Sequence, residues 1–165
     1  PIGGLRGMLF NMFEMKMSYR RATRSDCSLI YEWANDRTVR ENSFTSDSIE
    51  YEAHVKWFEE KLNSATSRIY IAYLNARPIG QIRIEIENRN GIINYSVDSQ
   101  WRGFGYGTLM LKEISAVLEK DGVTNIDRVI GKVKYTNIPS QRAFIKAGYL
   151  ETDVGDYKEY SKEIE

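Results

Sequence analysis

The sequence predicts a single mixed α/β domain in which helices cover both faces of one β-sheet. Its 165 residues are enough for one hydrophobic core. Apolar residues recur at helical intervals in some segments and at every second position in others. These segments follow one another in the order β-α-α-β-β-β-α-β-α-β, which implies a mixed sheet between two layers of helices.

The first half of the chain begins with one strand and two helices. Met17–Thr23 is predicted as a strand, and Ser25–Asp26 supplies a start signal for the first helix. A polar stretch, Asn35–Asp47, is predicted as a connection. The second helix is predicted over Ile49–Leu62, because its apolar residues fall at helical intervals.

A change of hydrophobic period marks three strands in the middle of the chain. Arg68–Leu74 alternates between apolar and polar residues, and Ile79–Glu87 places isoleucines on one face and charged residues on the other. Asn90–Gly91 is a strong hairpin signal. The third strand, Ile92–Asp98, is therefore predicted to fold back after the second.

The last third of the chain adds two helices and two strands. The helices are predicted over Thr108–Lys120 and Asn137–Ala147, and Gly148 stands at the position favoured for a C-terminal cap. The strands are predicted over Asp127–Lys134 and Tyr157–Ile164. Residues 17–165 are assigned to this domain, and residues 1–16 are interpreted as an N-terminal extension or a cloning remnant.

Charge and cysteine content argue against several classes of function. Lys and Arg number 23, Asp and Glu number 23, and the formal net charge is zero. The chain therefore lacks the basic excess expected of a partner for nucleic acid or a membrane surface. Cys27 is the only cysteine, so no disulfide can form within the chain and a reducing, cytoplasmic location is expected. Cys27 itself is expected to have a structural role. No metal site is expected.

A glycine-rich turn between a strand and a helix carries the functional signal. In Trp101–Thr108 the glycines alternate with other residues, so main-chain N–H groups can converge without interference from Cβ atoms. The helix that follows adds unpaired amides and a positive dipole end, and Arg102 adds a charge, which suits a pyrophosphate. The P-loop pattern and the dinucleotide pattern both fail at or next to Thr108.

Two motifs resemble the GNAT superfamily of acetyl-CoA-dependent N-acetyltransferases. Gln100–Thr108 is similar to the superfamily's pyrophosphate loop, and Asn137–Tyr149 is similar to the helix that flanks pantetheine. The resemblance implies a mixed, mostly antiparallel sheet of six to seven strands, acetyl-CoA as the acetyl donor, and a splayed strand that leaves Tyr95–Val97 to pair with pantetheine. The implied cofactor contacts are Val97, Arg102, Gly103, Phe104, Gly105, Tyr106, Gly107, Thr108, Asn137, Ser140 and Phe144. Read without the resemblance, Asn137 is a helix N-cap.

Segments of the N-terminal half resemble GNAT enzymes that make pseudaminic acid and related sialic-acid-like sugars. The segments are Glu32–Asp36, Val39–Phe44 and Glu52–Phe58, and the implied acceptor is a small molecule, the amino group of a nucleotide-linked deoxy sugar. The implied acceptor contacts are Trp33, Asn35, Arg40, Phe44, His54 and Arg83. Read without the resemblance, the aromatic residues are core residues of amphipathic helices. Acetylation of a protein N-terminus and a non-catalytic CoA-binding regulatory module stay open, and a homodimer is compatible with each.

The resemblance does not fix the catalytic base and acid. An amine must lose a proton before its nitrogen attacks a thioester, and His54 is the first candidate base because its ordinary pKa is close to neutrality. Glu85 is the second candidate, although its neighbour Arg83 also suggests a plain ion pair. Phe144 stands where many family members have a tyrosine acid, which leaves Tyr95, Tyr135 or water to protonate the thiolate.

Overall fold

A seven-stranded sheet with the order β1-β2-β3-β4-β5-β7-β6 lies at the centre of the computed structural model, which describes residues 16–164. The strands are β1 (Met17–Arg21), β2 (Ser67–Leu74), β3 (Arg77–Glu87), β4 (Asn90–Val97), β5 (Arg128–Val133), β6 (Leu150–Asp153) and β7 (Lys158–Glu163). Neighbouring strands are antiparallel except β4 and β5, which are parallel. The predicted mixed, mostly antiparallel sheet is confirmed. Apart from Lys16, the predicted extension lies outside the described residues.

Within residues 16–164, helices cover both faces of the sheet, as predicted. They are α1 (Cys27–Ala34), α2 (Arg37–Asn42), α3 (Tyr51–Asn63), α4 (Tyr106–Lys120) and α5 (Ile138–Lys146). One apolar cluster packs α4 and α5 on the sheet and includes Ile82, Met110 and Phe144. The other packs α1 and α3 on the opposite face and includes Phe58 and Ile71. None of these helices has the length and hydropathy that a bilayer span requires.

Two elements of the fold are absent from the sequence-based prediction. α2 lies inside the stretch predicted as a connection and buries none of its residues, so it has no apolar stripe to reveal it. β6 exposes all four of its residues, so its sequence shows no alternation. α4 also begins two residues before the predicted start, because Gly105 is its N-cap.

Candidate active site

β4 separates from β5 halfway along its length. The parallel ladder between them ends at the pair Ile93 and Gly131, whereas β4 continues to Val97 beside β3. The N–H of Asp98 donates to a carbonyl of β3 at 2.8 Å. Because alternate residues of an antiparallel strand turn their main-chain groups to opposite sides, Tyr95 and Val97 turn theirs into the gap. The gap therefore offers a free strand edge to an extended, amide-bearing molecule.

The glycine-rich turn leads from this edge into α4. Gly103 and Gly105 have φ angles of +83° and +86°, a left-handed conformation that other residues adopt only at a cost. A Cβ on either would have no atom within 4 Å, so conformation rather than space requires glycine there. At Gly107, space matters, because a Cβ would lie 3.2 Å from Cε2 of Tyr95. The first amides of α4 have no partner within the helix, so N–H donors line the cleft at its start. Phe104 points away, with 71% of it exposed.

Arg102 joins the turn to the helices on the other face of the sheet. Its Nε donates to the carbonyl of Val97 at 3.0 Å, and its Nη2 donates to Oδ1 of Asp36 at 2.7 Å. Asp36 also caps α2 by accepting from the N–H of Val39 at 3.1 Å. Burial alone would raise the pKa of Asp36, but Arg102 and the cap hydrogen bonds outweigh it and hold this pKa below its ordinary value. The charge expected to face a pyrophosphate is therefore compensated by a carboxylate.

A cleft of about 1160 Å³ joins the gap to a polar surface on the other side of β4. On that surface, the amide nitrogen of Gln81 donates to Oδ1 of Asn94 at 3.1 Å and to Oγ of Ser96 at 3.4 Å. Among residues 16–164, no aspartate or glutamate lines the cleft. The cationic residues that line it are Arg40, Arg83, Arg102, Lys132, Arg142 and Lys146. The side chains that line the cleft are therefore cationic, with Arg102 paired to Asp36, and cationic side chains attract anionic molecules.

Arg83 lies on the acceptor side of the cleft, which we define as the side lined by α2, α3 and β3. Its guanidinium carbon is 4.9 Å from the centre of the Trp57 ring. Its Nε is 3.1 Å from Oε1 of Glu85, but the direction of the N–H does not make a hydrogen bond. Glu85 pairs with Nζ of Lys61 at 2.8 Å and does not line the cleft. Burial lowers the pKa of Arg83, and the charge of Glu85 opposes this effect.

His54 lines the acceptor side, although only 2% of it is exposed. Its Nε2 lies 3.0 Å from the carbonyl oxygen of Cys27. Because a carbonyl only accepts hydrogen bonds, Nε2 carries the proton and Nδ1 keeps the lone pair. Burial lowers the pKa of His54 and outweighs the opposing hydrogen bond to Cys27. Burial therefore favours the neutral imidazole, in which Nδ1 is the basic atom.

Trp33 and Asn35 do not line the cleft. The indole Nε1 of Trp33 donates to Oδ2 of Asp98 at 2.8 Å, and Trp33 is 6% exposed. Asn35 exchanges two hydrogen bonds with the main chain of Ile49, at 2.7 and 2.8 Å. Both residues support the wall of the cleft from behind.

The segment around α2 encloses the acceptor side. Phe44 lies at the rim, where its ring meets the edge of the Tyr157 ring at a centroid distance of 5.7 Å. Nζ of Lys134 donates to the carbonyl of Glu41 at 3.1 Å. Arg40 lines the cleft, but its donors serve its own segment, and burial lowers its pKa. Its acceptors are the carbonyl oxygens of Ala34, Thr45 and Asp47 and Oγ of Ser43.

Tyr95 and α5 bound the cofactor side of the cleft. The hydroxyl of Tyr95 is 2.9 Å from Oγ of Ser140, and burial raises the pKa of Tyr95. Asn137 accepts from the N–H of Ser140 at 3.3 Å, so the predicted N-cap is confirmed. Cζ of Phe144 lies 2.1 Å from the place that a Cβ on Gly131 would take. The ring fills the space above this glycine, and no room is left for a tyrosine hydroxyl.

A family model described as an acetyltransferase (GNAT) domain matches residues 16–150. The chain belongs to the GNAT acetyltransferase family. No curated protein sequence matches it. Three solved structures share the GNAT fold at TM-scores of 0.74 to 0.77. One is an aminoglycoside acetyltransferase in complex with coenzyme A, with 18% identity, coverage of 90% of this chain and 95% of that chain, and a TM-score of 0.74. Another is a ribosomal L7/L12 α-N-protein acetyltransferase in complex with coenzyme A, with 15% identity, coverage of 90% and 94%, and a TM-score of 0.75. The third is a spermidine N-acetyltransferase from Vibrio cholerae in complex with CoA and spermine, with 15% identity, coverage of 90% and 95%, and a TM-score of 0.77.

The GNAT assignment leaves one part of the cleft that sequence reasoning missed. The row formed by Gln81 on β3 and by Asn94 and Ser96 on β4 lines the cleft and is not among the predicted contacts. The sequence does contain a signal for this row, because its polar residues occupy alternate positions on strands whose opposite face is apolar. Gln81 and Ser96 are buried, and polar side chains that a fold buries indicate a site.

Proposed function

We propose that this GNAT protein transfers the acetyl group of acetyl-CoA to a primary amine on a nucleotide-linked deoxy amino sugar. The observation that carries the proposal is the gap between β4 and β5. The first turn of α4 lies at one end of it, and at the other lies a cleft to which the described part of the chain contributes no carboxylate. The amides of Tyr106, Gly107 and Thr108 receive the pyrophosphate. The main-chain groups of Tyr95 on the free edge pair with the pantetheine amides.

The same edge supplies the electrostatic part of the reaction. The nitrogen lone pair of the acceptor attacks the thioester carbonyl carbon, and the C–S bond breaks as the amide forms. The carbonyl oxygen gains negative charge on the way, and the N–H of Val97 donates to it. The carbonyl of Val97 is already occupied by Arg102, which holds this main-chain unit in place.

Two side chains are suited to the proton transfers. Nδ1 of His54 accepts the proton that the amine loses, directly or through a water molecule. The neutral form of His54 that burial imposes keeps this lone pair free. The hydroxyl of Tyr95, oriented by Ser140, protonates the departing thiolate. Glu85 is placed less well for the base, because Lys61 engages it behind the cleft wall.

The choice of acceptor follows from the charge and the enclosure of the cleft. Aminoglycosides and spermidine are polycations, and the described residues line the cleft with cationic side chains and no carboxylate, which disfavours polycations. A nucleotide-linked sugar carries a diphosphate, which this lining attracts. The contacts at Phe44 and Lys134 enclose the acceptor side, which favours a small molecule over a folded protein.

A panel of acceptors tests the proposal. The full chain is supplied with acetyl-CoA and, separately, with a UDP-linked deoxy amino sugar, an N-terminal peptide, spermidine and kanamycin, and the release of free CoA is measured. Turnover is expected with the UDP-linked sugar. A preference for the peptide would mean that the acceptor is a protein N-terminus and not an amino sugar. CoA binding without turnover of any acceptor would favour a regulatory module.

A further inference from the structure

The charges around Glu85 do not balance. Both Lys61, at 2.8 Å, and Arg83, at 3.1 Å, are placed against one carboxylate. Ser67 adds a hydrogen bond to the same oxygen at 3.3 Å. Glu85 thus has two cations and a hydroxyl on its Oε1, and Lys61 is the closer of the two cations. One positive charge is left over at Arg83, which lines the cleft, whereas Lys61 does not.

The donors of Arg83 are free to bind a ligand. Its Nη1 and Nη2 make no hydrogen bond to any other residue of the described part of the chain, and its side chain keeps 24% of its surface exposed. Trp57 packs on the guanidinium plane and holds the fork in a fixed orientation. Asn94 lies opposite Arg83 in the β3–β4 register, and both residues line the cleft.

We propose that the Arg83 fork, stacked on Trp57, binds an anionic group of the acceptor, a phosphate or a carboxylate. This inference rests on the proposed function and names the residue that selects the acceptor. Arg40 is a weaker choice, because its donors are engaged by its own segment. A guanidinium fork matches the two oxygens of either anion, and such charge-assisted pairs are stronger than neutral ones.

Binding of UDP to the CoA-saturated full chain measures this subsite without catalysis. Saturation with CoA keeps the diphosphate from the pyrophosphate site. Arg83→Gln is expected to weaken UDP binding about tenfold to a hundredfold, as lost charge-assisted hydrogen bonds do. The UDP affinity of Arg83→Lys should lie between those of Arg83→Gln and the parent protein, because an ammonium keeps the charge but lacks the two-pronged geometry of a guanidinium. Arg77→Gln removes the same charge from an exposed position of β3 and should leave UDP binding within about twofold.

Turnover separates this inference from the proposed function. With a UDP-linked amino sugar, Arg83→Gln should raise KM by the same factor as the loss of UDP affinity and leave CoA affinity unchanged. Equal KM values for Arg83→Gln and the parent protein would overturn the Arg83 assignment and leave the sugar acceptor standing. If amino acids are the acceptors instead, and Arg83→Gln raises their KM, Arg83 binds a carboxylate. The anion site is then supported, and the nucleotide-linked acceptor is wrong. Turnover of spermidine without UDP binding would overturn the anion site.

Discussion

The ion pair between Arg102 and Asp36 allows a sharp test of how the turn binds a diphosphate. If the main-chain amides of the turn do the binding, the role of Arg102 is to fix Val97 and to neutralise Asp36. The variant Arg102→Gln then leaves one uncompensated negative charge beside the incoming diphosphate. At a separation of roughly 8 Å, with two charges on the diphosphate and an effective dielectric constant of about 40, the repulsion is about 2 kcal/mol. This corresponds to about a thirtyfold rise in the Kd of CoA.

The double variant Asp36→Asn with Arg102→Gln separates neutralisation from direct contact. It removes both charges, and asparagine still caps α2. CoA affinity should recover to within about fivefold of the parent protein, since only the hydrogen bond to Val97, worth about 1 kcal/mol, remains lost. Calorimetric titration of CoA into the four proteins of the cycle measures this. A double variant that binds as weakly as Arg102→Gln alone would refute the reasoning and show that the guanidinium itself contacts the diphosphate.

Three further variants test the roles of buried residues. Trp33→Phe removes the hydrogen bond to Asp98 and should lower the free energy of unfolding by about 1 to 3 kcal/mol in urea titrations, with the KM of the acceptor unchanged; a rise in KM alone would place Trp33 in the site. Phe144→Tyr should cost about 1 to 3 kcal/mol of stability because its hydroxyl has no space above Gly131, and a gain in kcat would contradict this packing. In the native protein the pKa of His54 is lowered, so the unfolded chain binds the proton first and stability falls as the pH drops below about 6.5. His54→Gln should flatten the urea stability profile between about pH 7 and 5, and an unchanged slope would assign the effect to other groups.

The parts of the fold that bury apolar surface could be predicted from the sequence. The central strands show alternation, and the main helices show apolar stripes, because one face of each packs on the core. α2 and β6 bury almost nothing, so their sequences carry no such signal. They are held by contacts with distant residues, as at the α2 N-cap Asp36, which also meets Arg102.

The site could be predicted where it depends on local geometry. Gly103 and Gly105 form the turn that their spacing predicts, but their left-handed conformation requires glycine there, and not the expected interference from Cβ atoms. The state of Arg102 could not be predicted, because its partner Asp36 is 66 residues away in the sequence. The same holds for Trp33, whose indole reaches Asp98 across 65 residues. A side chain's chemistry depends on these long-range partners, and composition and spacing do not contain them.

The distribution of carboxylates explains how a chain with zero net charge can have a cationic cleft. Asp36, Glu85 and Asp98 lie behind the cleft wall, where each holds a lining or supporting side chain: Arg102, Arg83 with Lys61, and Trp33, respectively. Asp36 and Glu85 therefore stabilise the wall while Arg102 and Arg83 keep a side toward the cleft. In both pairs the cation lines the cleft and the carboxylate does not. The pairs therefore add no net charge to the chain but place positive charge at the cleft. We therefore expect this cleft to favour acceptors that carry negative charge.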